Sequence, residues 1–470
     1  MKLSTAGPFR LGLALILLSG GISILWGIAL ARNASGSVGF QAIYYGTRCL
    51  IQHHNPYRQS ELEAVYKAEG GDRPSVSALA RQTVTLYVNL PTTFIFIAPL
   101  AMLPWGSAHA LWLILLAGAF LLAAFLMWST GANRAPAVSL FLVCILLANS
   151  EVIFGAGNTA GFVVSLCVVA VWCFLQERFV LLGILCMAAS VVIKPHDSGL
   201  VWLYFLLAGG VYRKRALQSL AVAVILGLSA FLWVSHVAPD WMQDWRLNLS
   251  ASSAHGGING PGPAAVTSHT PDMVIDLQAA ISIFRDDPRF YDPATYIVCG
   301  ALLLAWSVRT LRSRPSKAGA WLALAAVVPL TMLVTYHRPY DAKLLLLTVP
   351  ACAMLWAEGG TIGRLALLVN TAGIVLTGDV PLALLVILSR KLDLGTAGIF
   401  RQILTVALIR PASLVLLTMG IFYLWVYVRR QFPDTGRSSE EVEDRAGEVG
   451  RARGELAPKV QAYRGVSTTH

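Results

Sequence analysis

Charged residues are scarce in this sequence. Only 13% of its 470 residues are Asp, Glu, Lys or Arg, whereas 56% are hydrophobic. This imbalance excludes an ordinary soluble globular protein. The ten-residue alternation of polarity that a membrane β-barrel needs is also lacking. What recurs instead are apolar runs of about 20 residues, long enough to cross the hydrocarbon core as helices. The sequence therefore predicts an all-α, polytopic transmembrane helical bundle.

The seven cysteines provide no disulfide framework, because six of them stand in apolar runs, and no Cys-x-x-Cys or His-rich pattern occurs. No cofactor is predicted, and a role for a divalent metal is left open. The formal net charge of +11 would favour nucleic acid in a soluble protein. Here the basic residues are scattered over loops between apolar runs, so the predicted partner is membrane lipid rather than nucleic acid.

The apolar runs predict about twelve membrane crossings. They lie near residues 11–31, 107–128, 137–150, 158–175, 179–193, 199–212, 216–236, 294–309, 319–335, 343–357, 362–388 and 408–428. The first run ends in a small-residue pattern that resembles a signal-peptide cleavage site, but about 21 apolar residues are too many for a signal core. We predict a retained first span. No internal repeat indicates the inverted halves of a transporter.

The most basic short loops predict the orientation, because cytoplasmic loops carry an excess of Lys and Arg. These are residues 212–216 and 309–317. With both on the inside of the inner (plasma) membrane, the two termini are cytoplasmic too. The external loops 32–90 and 237–293 then share the non-cytoplasmic face with the short loops "GAGNT", "KPHDSG" and "YHRPYD". All the chemically rich segments are expected on that one face.

Composition also predicts the domain organisation. Residues 1–430 are expected to form the transmembrane domain. Residues 431–470 mix charges without apolar periodicity, which is typical of a disordered cytoplasmic tail. The stretch 250–270 is rich in Gly, Ser, Pro and Ala and predicts a mobile loop. Both a lid over a site and a plain flexible connection are compatible with it.

Two short polar motifs, "KPHD" and "YHRPYDAK", interrupt the apolar runs. Their candidate residues are Lys194, His196, Asp197, His337, Arg338, Tyr340, Asp341 and Lys343. Ionisable residues at a membrane boundary are costly unless they face water, one another or a ligand. The structural alternative is that the cations reach lipid headgroups and the acids cap helices. Two acids, two imidazoles and three permanent cations exceed what capping requires, so we predict a shared polar site.

The loop after the first span contains further candidates. In "QAIYYGTRCLI", apolar and aromatic residues including Tyr44 recur at helical spacing, which predicts a helix along the membrane surface. The motif "HHNPY", with Asn55 and Tyr57, should end it, because the residue before a proline avoids the helical region. The glycines of "FGAGNTAG" (154–161) fit a phosphate cradle or tight packing at a turn, and we favour the packing.

Taken together, these motifs resemble those of a known family. The surface helix, "NPY", a returning "Y-x-x-x-P" before an apolar segment ending in "APLAMLP", then "GAGN" and "KP" are similar to the polyprenol-phosphate-sugar-dependent glycosyltransferases of the GT-C class. The branch most similar is glycosyltransferase family 87, which includes mycobacterial mannosyltransferases. The resemblance spans residues from roughly 10 to 430.

The resemblance implies a membrane enzyme that moves a sugar, mannose or a similar hexose or pentose, from a polyprenyl-phosphate donor. The acceptor would be a hydroxyl of a lipid-linked or cell-envelope glycan on the non-cytoplasmic face, and the configuration would invert. Cations would bind the donor phosphate, Arg as a planar fork and Lys as a point charge. The expected substrate-binding residues are Lys194, His196, His337, Arg338, Tyr340, Lys343, Tyr44, Asn55 and Tyr57.

The family typically has an Asp just before the Phe that opens the surface helix, and this chain has Gly39 there. A carboxylate is still needed to deprotonate the acceptor hydroxyl. The candidates are Asp341, Asp197 and Glu61, and the choice stays open at this point. Neighbouring cations would keep the two aspartates ionised, whereas the surroundings of Glu61 favour a solvated helix.

Two other classes of function are compatible with the sequence. A transporter or flippase of a polyprenyl-linked glycan would also need a lipid groove and a cationic phosphate site. It should show polar residues in mid-membrane, whereas here they stand at the ends of the apolar runs. A non-catalytic relative that has lost its base is the second alternative, and Gly39 is the residue that supports it.

Overall fold

The computed structural model describes residues 6–32, 36–268, 270, 273–392 and 398–430. Within these ranges the chain forms helices and no strand, which confirms the all-α prediction. The helices are α1 (Ala6–Ala31), α2 (Val38–Ile51), α3 (Gln59–Ala68), α4 (Ala78–Thr85), α5 (Thr92–Ala101), α6 (Trp105–Ala132), α7 (Pro136–Ala148), α8 (Glu151–Ala156), α9 (Thr159–Gln176), α10 (Val180–Ile193), α11 (Pro195–Ala208), α12 (Gly210–Val237), α13 (Trp241–Ser253), α14 (Leu277–Ile281), α15 (Pro288–Arg312), α16 (Lys317–Val334), the 3-10 helix η1 (Asp341–Thr348), α17 (Val349–Glu358), α18 (Gly360–Leu376), α19 (Asp379–Leu392), α20 (Ile399–Ile409) and α21 (Pro411–Arg429).

Eight stretches of the described residues are long and apolar enough to cross a membrane. They are Phe9–Ala31, Trp105–Ala132, Pro136–Ala156, Thr159–Gln176, Gly210–Val237, Pro288–Arg312, Lys317–Val334 and Pro411–Arg429. A ninth arises if α18 and the first part of α19, which are bent by 66° at their junction, form one broken span. The chain is thus a multi-pass membrane protein. The predicted tail, residues 431–470, lies outside the described residues.

The difference from the predicted twelve crossings lies in three short segments. The runs near 179–193 and 199–212 form α10 and α11, each of 14 residues. A helix of that length reaches only about 21 Å, less than the hydrocarbon thickness. The run near 343–357 is divided between η1 and the ten-residue α17. Because α10 and α11 are short, the polar turn between them is buried, with Lys194 only 9% exposed.

The polar loops meet at one end of the bundle. The side chain of Asn248, in the loop 237–293, donates to the carbonyl oxygen of Tyr57 at 2.9 Å and so joins that loop to the loop 32–90. The backbone N–H of Ile275 donates to the carbonyl oxygen of His337 at 2.9 Å. The Thr92 hydroxyl contacts the Val192 carbonyl, just before the "KPHD" turn. Segments far apart in the sequence therefore share one polar end.

A helix is present as predicted after the first span, as α2, and it ends at Ile51 just before "HHNPY". Its aromatic residues pack against protein. The ring of Phe40 stacks on Trp112 at 5.3 Å between centroids, and the ring of Tyr45 stacks on Trp105 at 5.7 Å. Offset aromatic pairs of this kind stabilise beyond their buried area. The resulting hydrophobic core fixes the segment 36–90 onto the start of α6.

The Gly-rich stretch predicted as a mobile loop packs over the polar end. Ile258, Met273 and Ile275 are buried. The guanidinium of Arg410 donates to the carbonyl oxygens of Pro261 and Ala279, at 2.5 and 2.9 Å. Charged donors satisfy buried carbonyl groups strongly. The described residues of the segment 254–287 therefore cover the "YHRPYD" turn.

Candidate active site

Lys194 joins the two polar motifs. Its ammonium group donates to Oδ1 of Asp341 at 2.6 Å, and its Nζ lies 3.3 Å from Oδ2 of Asp197. Both carboxylates are 1% exposed and Lys194 is 9% exposed. Two turns 147 positions apart in the chain thus form one buried ion cluster. Buried charges are tolerated only when they are paired in this way.

Local sequence explains where these groups stand. Pro195 has no N–H and suits the first turn of a helix, so α10 ends at Ile193 and α11 begins at Pro195. Asp197 follows in the first turn of α11, where the helix dipole favours an acid. Asp341 begins η1, and its Oδ2 accepts the backbone N–H of Arg338 at 2.8 Å. A backbone N–H thus satisfies one oxygen of Asp341, whereas the oxygens of Asp197 lie beside the side chains of Lys194 and His337, at 3.3 and 3.4 Å.

His337 adds a second cation to the cluster. Its Nδ1 lies 2.8 Å from the carbonyl oxygen of Thr335. Its Nε2 lies 3.3 Å from the carbonyl oxygen of His196 and 3.4 Å from Oδ1 of Asp197. Oxygen atoms of these kinds only accept hydrogen bonds, so this environment favours the imidazolium form, in which both ring nitrogens donate. Burial alone would lower the pKa of His337, but its interaction with Asp197 raises that pKa above the ordinary value.

The pKa values of the two carboxylates are shifted in opposite directions. Burial opposes the ionisation of Asp197, yet the charge of Lys194 and the interaction with His337 hold its pKa well below the usual range. For Asp341, burial and the negative charge of Asp197 raise the pKa. Neighbouring acids whose pKa values are pushed apart are typical of an acid and base pair. Asp341 is therefore the better proton acceptor of the two, and Asp197 is the permanent anion.

A divalent metal fits this cluster poorly. His196, Asp197 and His337 each offer one ligand atom, and these atoms lie within 4.8 Å of one another. A metal ligand must present an unprotonated nitrogen, whereas both nitrogens of His337 face oxygen atoms. Lys194 already stands beside the carboxylate of Asp197. Ion pairing accounts for this grouping better than metal binding does.

Arg338 turns away from the two carboxylates. Its side chain donates to the Tyr336 hydroxyl at 2.5 Å, to the Ile258 carbonyl at 2.9 Å and to Oδ1 of Asn259 at 3.2 Å. It thus connects the "YHRPYD" turn with the covering segment 254–287. Sequence reasoning does not single out Tyr336, although it stands in the same motif.

Tyr340 belongs to the cluster as an aromatic neighbour. The ammonium of Lys194 lies 5.4 Å from the centroid of its ring, within range of a cation–π interaction. Its hydroxyl lies 3.5 Å from that of Tyr336. Tyr340 is 6% exposed, so it closes one side of the cluster.

Lys343 makes its contacts elsewhere. Its Nζ donates to the carbonyl oxygen of Asn149 at 2.5 Å and to Oδ1 of Asp379 at 3.3 Å. Oδ2 of Asp379 accepts the backbone N–H of Val152 at 2.8 Å. This second buried ion pair joins the break between α7 and α8 to the bend before α19. Sequence reasoning does not foresee Asp379, whose only signal is that it interrupts an apolar run.

Glu61 and Asn55 form a separate polar group. Glu61 accepts the backbone N–H of Asn55 at 2.7 Å and pairs with Arg58 at 2.8 Å. The side chain of Asn55 donates to Asp244 at 2.7 Å. These bonds hold the turn before α3 against α13. No contact among the described residues joins Glu61 to the Lys194 cluster.

Tyr44 and Tyr57 are buried inside the segment 36–90, each 1% exposed. The hydroxyl of Tyr44 donates to the carbonyl oxygen of Leu103 at 2.8 Å, and that of Tyr57 to the carbonyl oxygen of Asn89 at 2.9 Å. A buried phenol needs such a partner. Both side chains are occupied in packing, and their predicted contact with a substrate stays a prediction.

The structure shows why an acid does not fit at Gly39. A Cβ atom on this residue would lie 2.9 Å from the carbonyl oxygen of Ala156 and 3.0 Å from Cα of Asn158. The added atom would meet backbone, which cannot turn aside as a side chain can. The glycines of "FGAGNTAG" are likewise in close contact with neighbouring residues, Gly157 with Phe40 among them, as expected for the packing interpretation.

Comparison with known families places part of the chain beside a described family. The sequence model of glycosyltransferase family 87 matches residues 87–270. Over these residues the match confirms the resemblance seen in the sequence, and it supports a GT-C-like glycosyltransferase family 87 assignment. Together with the apolar helices, it indicates a membrane glycosyltransferase. Comparison with curated proteins and with solved structures finds no significant match.

The ion cluster should be essential for stability. Replacing Lys194 by Met leaves two buried carboxylates without their shared cation, so we expect a loss of about 3 to 5 kcal/mol in unfolding free energy. The matched control is Lys67→Met, because Lys67 pairs with Glu63 at 2.7 Å on an exposed helix surface, and it should cost no more than about 0.5 kcal/mol. Unfolding of both variants in mixed micelles measures the difference. Equal losses would contradict a buried, obligatory pairing of Lys194.

The charge on His337 predicts a pH dependence of stability. The pKa of His337 is raised in the folded protein. Its contribution to the free energy of unfolding is therefore fully present below the pKa of the unfolded chain, about 6.5, and is lost as the pH rises through the pKa of the folded protein. The apparent Tm should fall as the pH rises above about 6.5. The variant His337→Gln should show a flatter dependence. Parallel curves for wild type and variant would show that His337 is not the titrating group.

Proposed function

We propose that this membrane glycosyltransferase uses a polyprenyl-phosphate sugar as donor, and that Asp341 is its general base. The supporting observation is that Lys194 stands between two buried carboxylates whose pKa values are shifted in opposite directions. One acid is thereby suited to accept a proton, while the other retains its charge.

In the proposed reaction the acceptor hydroxyl gives its proton to Asp341 while its oxygen forms a bond to the anomeric carbon. The bond from that carbon to the phosphate oxygen breaks, and its electron pair leaves with the polyprenyl phosphate. Attack from the side opposite the leaving group inverts the configuration. The transferred group is the sugar, in keeping with mannose or a similar hexose or pentose.

The net charge of the ion cluster favours this reaction. With Lys194 and His337 protonated and Asp197 and Asp341 ionised, the four groups sum to zero. When Asp341 takes the proton, the cluster becomes net positive. Negative charge develops on the departing phosphate at the same moment, so the cluster stabilises the transition state more than the ground state.

Arg338 is the residue proposed to bind the donor phosphate. It lies in the turn that carries Asp341, and its planar fork suits phosphate oxygens. Its present partners, Ile258 and Asn259, belong to the covering segment. Donor binding would therefore exchange these partners for phosphate and displace part of that segment, as a lid does. Lys343 is left out of the proposed phosphate site, because it pairs with Asp379.

The proposed location is the non-cytoplasmic face of the plasma membrane. The short basic loops 212–216 and 309–317 support a cytoplasmic position for the opposite end of the bundle. The acceptor would be a lipid-linked or cell-envelope glycan that reaches the polar end from outside.

One observation favours the alternative of a transporter or flippase. The pair of Lys343 and Asp379 is buried within the helical bundle, and intramembrane ion pairs often mark transport paths. This pair is held by Asn149 and Val152 in a packed junction between helices. Such an arrangement suits a structural joint better than a path.

Turnover separates these functions. Purified protein with polyprenyl-phosphate-mannose or polyprenyl-phosphate-arabinose and a glycan acceptor should release polyprenyl phosphate. The variant Asp341→Asn should lose a factor of roughly 10² to 10⁴ in kcat, as expected for removal of a general base. The control Glu61→Gln removes an acid from the other polar group and should remain close to wild type.

Two results would contradict the assignment. If Glu61→Gln abolished turnover and Asp341→Asn did not, the base would lie in the segment 36–90. If wild type moved the lipid-linked sugar across vesicle membranes without releasing polyprenyl phosphate, the protein would be a transporter. Absence of both activities would support the non-catalytic alternative.

A further inference from the structure

A shallow, open groove runs along one face of α12, at the end of α11 opposite the ion cluster. Its surface is formed by Gly210, Arg213, Lys214, Leu217, Gln218 and Ala221. All six belong to the first turns of α12. The 14 residues of α11 connect Lys194 of the ion cluster with Gly209 at the groove. The groove and the candidate active site therefore lie at opposite ends of α11, about 21 Å apart.

A tight turn shapes the upper edge of the groove. Gly209 and Gly210 have φ values of +80° and +53°, a backbone conformation that glycine adopts at little cost. The chain thus passes from α11 into α12 without intervening side chains. Arg213 and Lys214 follow immediately and are exposed.

The two cations beside the groove have no acidic partner among the described residues. The only hydrogen bond of Arg213 there runs from Nε to the carbonyl oxygen of Leu206 at 3.0 Å, which leaves its two η nitrogens to an outside acceptor. Lys214 makes no ion pair or hydrogen bond within the same residues. The neighbouring Arg215 differs, because it is buried and donates to the carbonyl oxygen of Phe174 at 2.5 Å.

The lower wall of the groove continues into a surface of exposed apolar side chains. Leu217 is 49% exposed, and further along α12 Val224 and Leu228 are 49% and 56% exposed. On a membrane-spanning helix such side chains face lipid tails. Two unpaired cations therefore stand directly above a hydrocarbon-facing wall.

We propose that this groove binds an anionic phospholipid, with the headgroup phosphate between Arg213 and Lys214 and an acyl chain along Leu217, Ala221 and Val224. Charge complementarity selects an anionic headgroup, and the apolar wall selects a molecule that also has a hydrocarbon chain. Basic pockets at the cytoplasmic ends of membrane helices are suited to such lipids. The proposal does not depend on the proposed glycosyl transfer, because it concerns the opposite end of α11.

Lipid binding to the full-length protein tests the proposal. Phosphatidylglycerol and phosphatidylcholine are each titrated onto the protein in detergent, and retained lipid is counted by native mass spectrometry. Wild type should retain phosphatidylglycerol in preference. The double variant Arg213→Gln with Lys214→Gln should bind it at least about tenfold more weakly, since each basic side chain near an anionic headgroup contributes roughly fivefold. Its retention of phosphatidylcholine should not change.

The matched control is Arg312→Gln with Lys317→Gln. These residues are also exposed and lie at the same end of the bundle, where Ala208 and Pro315 line a common cavity. The control removes the same charge outside the groove and should retain phosphatidylglycerol as wild type does. If both double variants lost phosphatidylglycerol binding equally, the lipid would be held by a diffuse cationic surface. If neither lost it, the groove would not be the binding site. Displacement of the lipid by inorganic phosphate would indicate a free-anion site and would overturn the proposal.

Discussion

The candidate site depends on the ammonium group of Lys194. In a bundle made mostly of apolar helices, a buried carboxylate is stable only beside a cation, and Lys194 serves two of them, Asp197 and Asp341. The two acids have different further neighbours, so their proton affinities differ. His337 adds its charge on the side of Asp197, which leaves Asp341 as the carboxylate more easily protonated. The electrostatic asymmetry that base catalysis requires thus follows from ordinary ion pairing.

Much of this site was predictable from the sequence. Loop order and the basic loops predicted that "KPHD" and "YHRPYD" lie on one face, and the structure brings them together. The allocation of individual side chains was not predictable. Asp341 and Lys343 are two residues apart in a 3-10 helix of about three residues per turn, so they project in different directions. Lys343 consequently meets Asp379, a partner that only the tertiary fold brings near. Gly39 could be recognised as a departure, but its cause, the backbone at Ala156 and Asn158, is visible only in three dimensions.

The covering segment 254–287 shows a second limit of sequence reasoning. Its composition is typical of a flexible loop, yet its backbone oxygens are bound by Arg338 and Arg410 from elsewhere in the chain. Composition describes local preference, whereas the order of this segment comes from long-range donors. The same reasoning applies to α10 and α11, whose apolar runs look like crossings but are too short to span. Their shortness is useful, because the turn between them carries Lys194 into the bundle.

The coupling between the two acids can be measured directly from the pH dependence of kcat in the variant Asp197→Asn. If the negative charge of Asp197 raises the pKa of Asp341, removing that charge must lower it, and the acid limb of the profile reports the base in the enzyme–substrate complex. The account predicts that this limb moves to lower pH in the variant. A limb that stays in place or moves to higher pH would contradict the account.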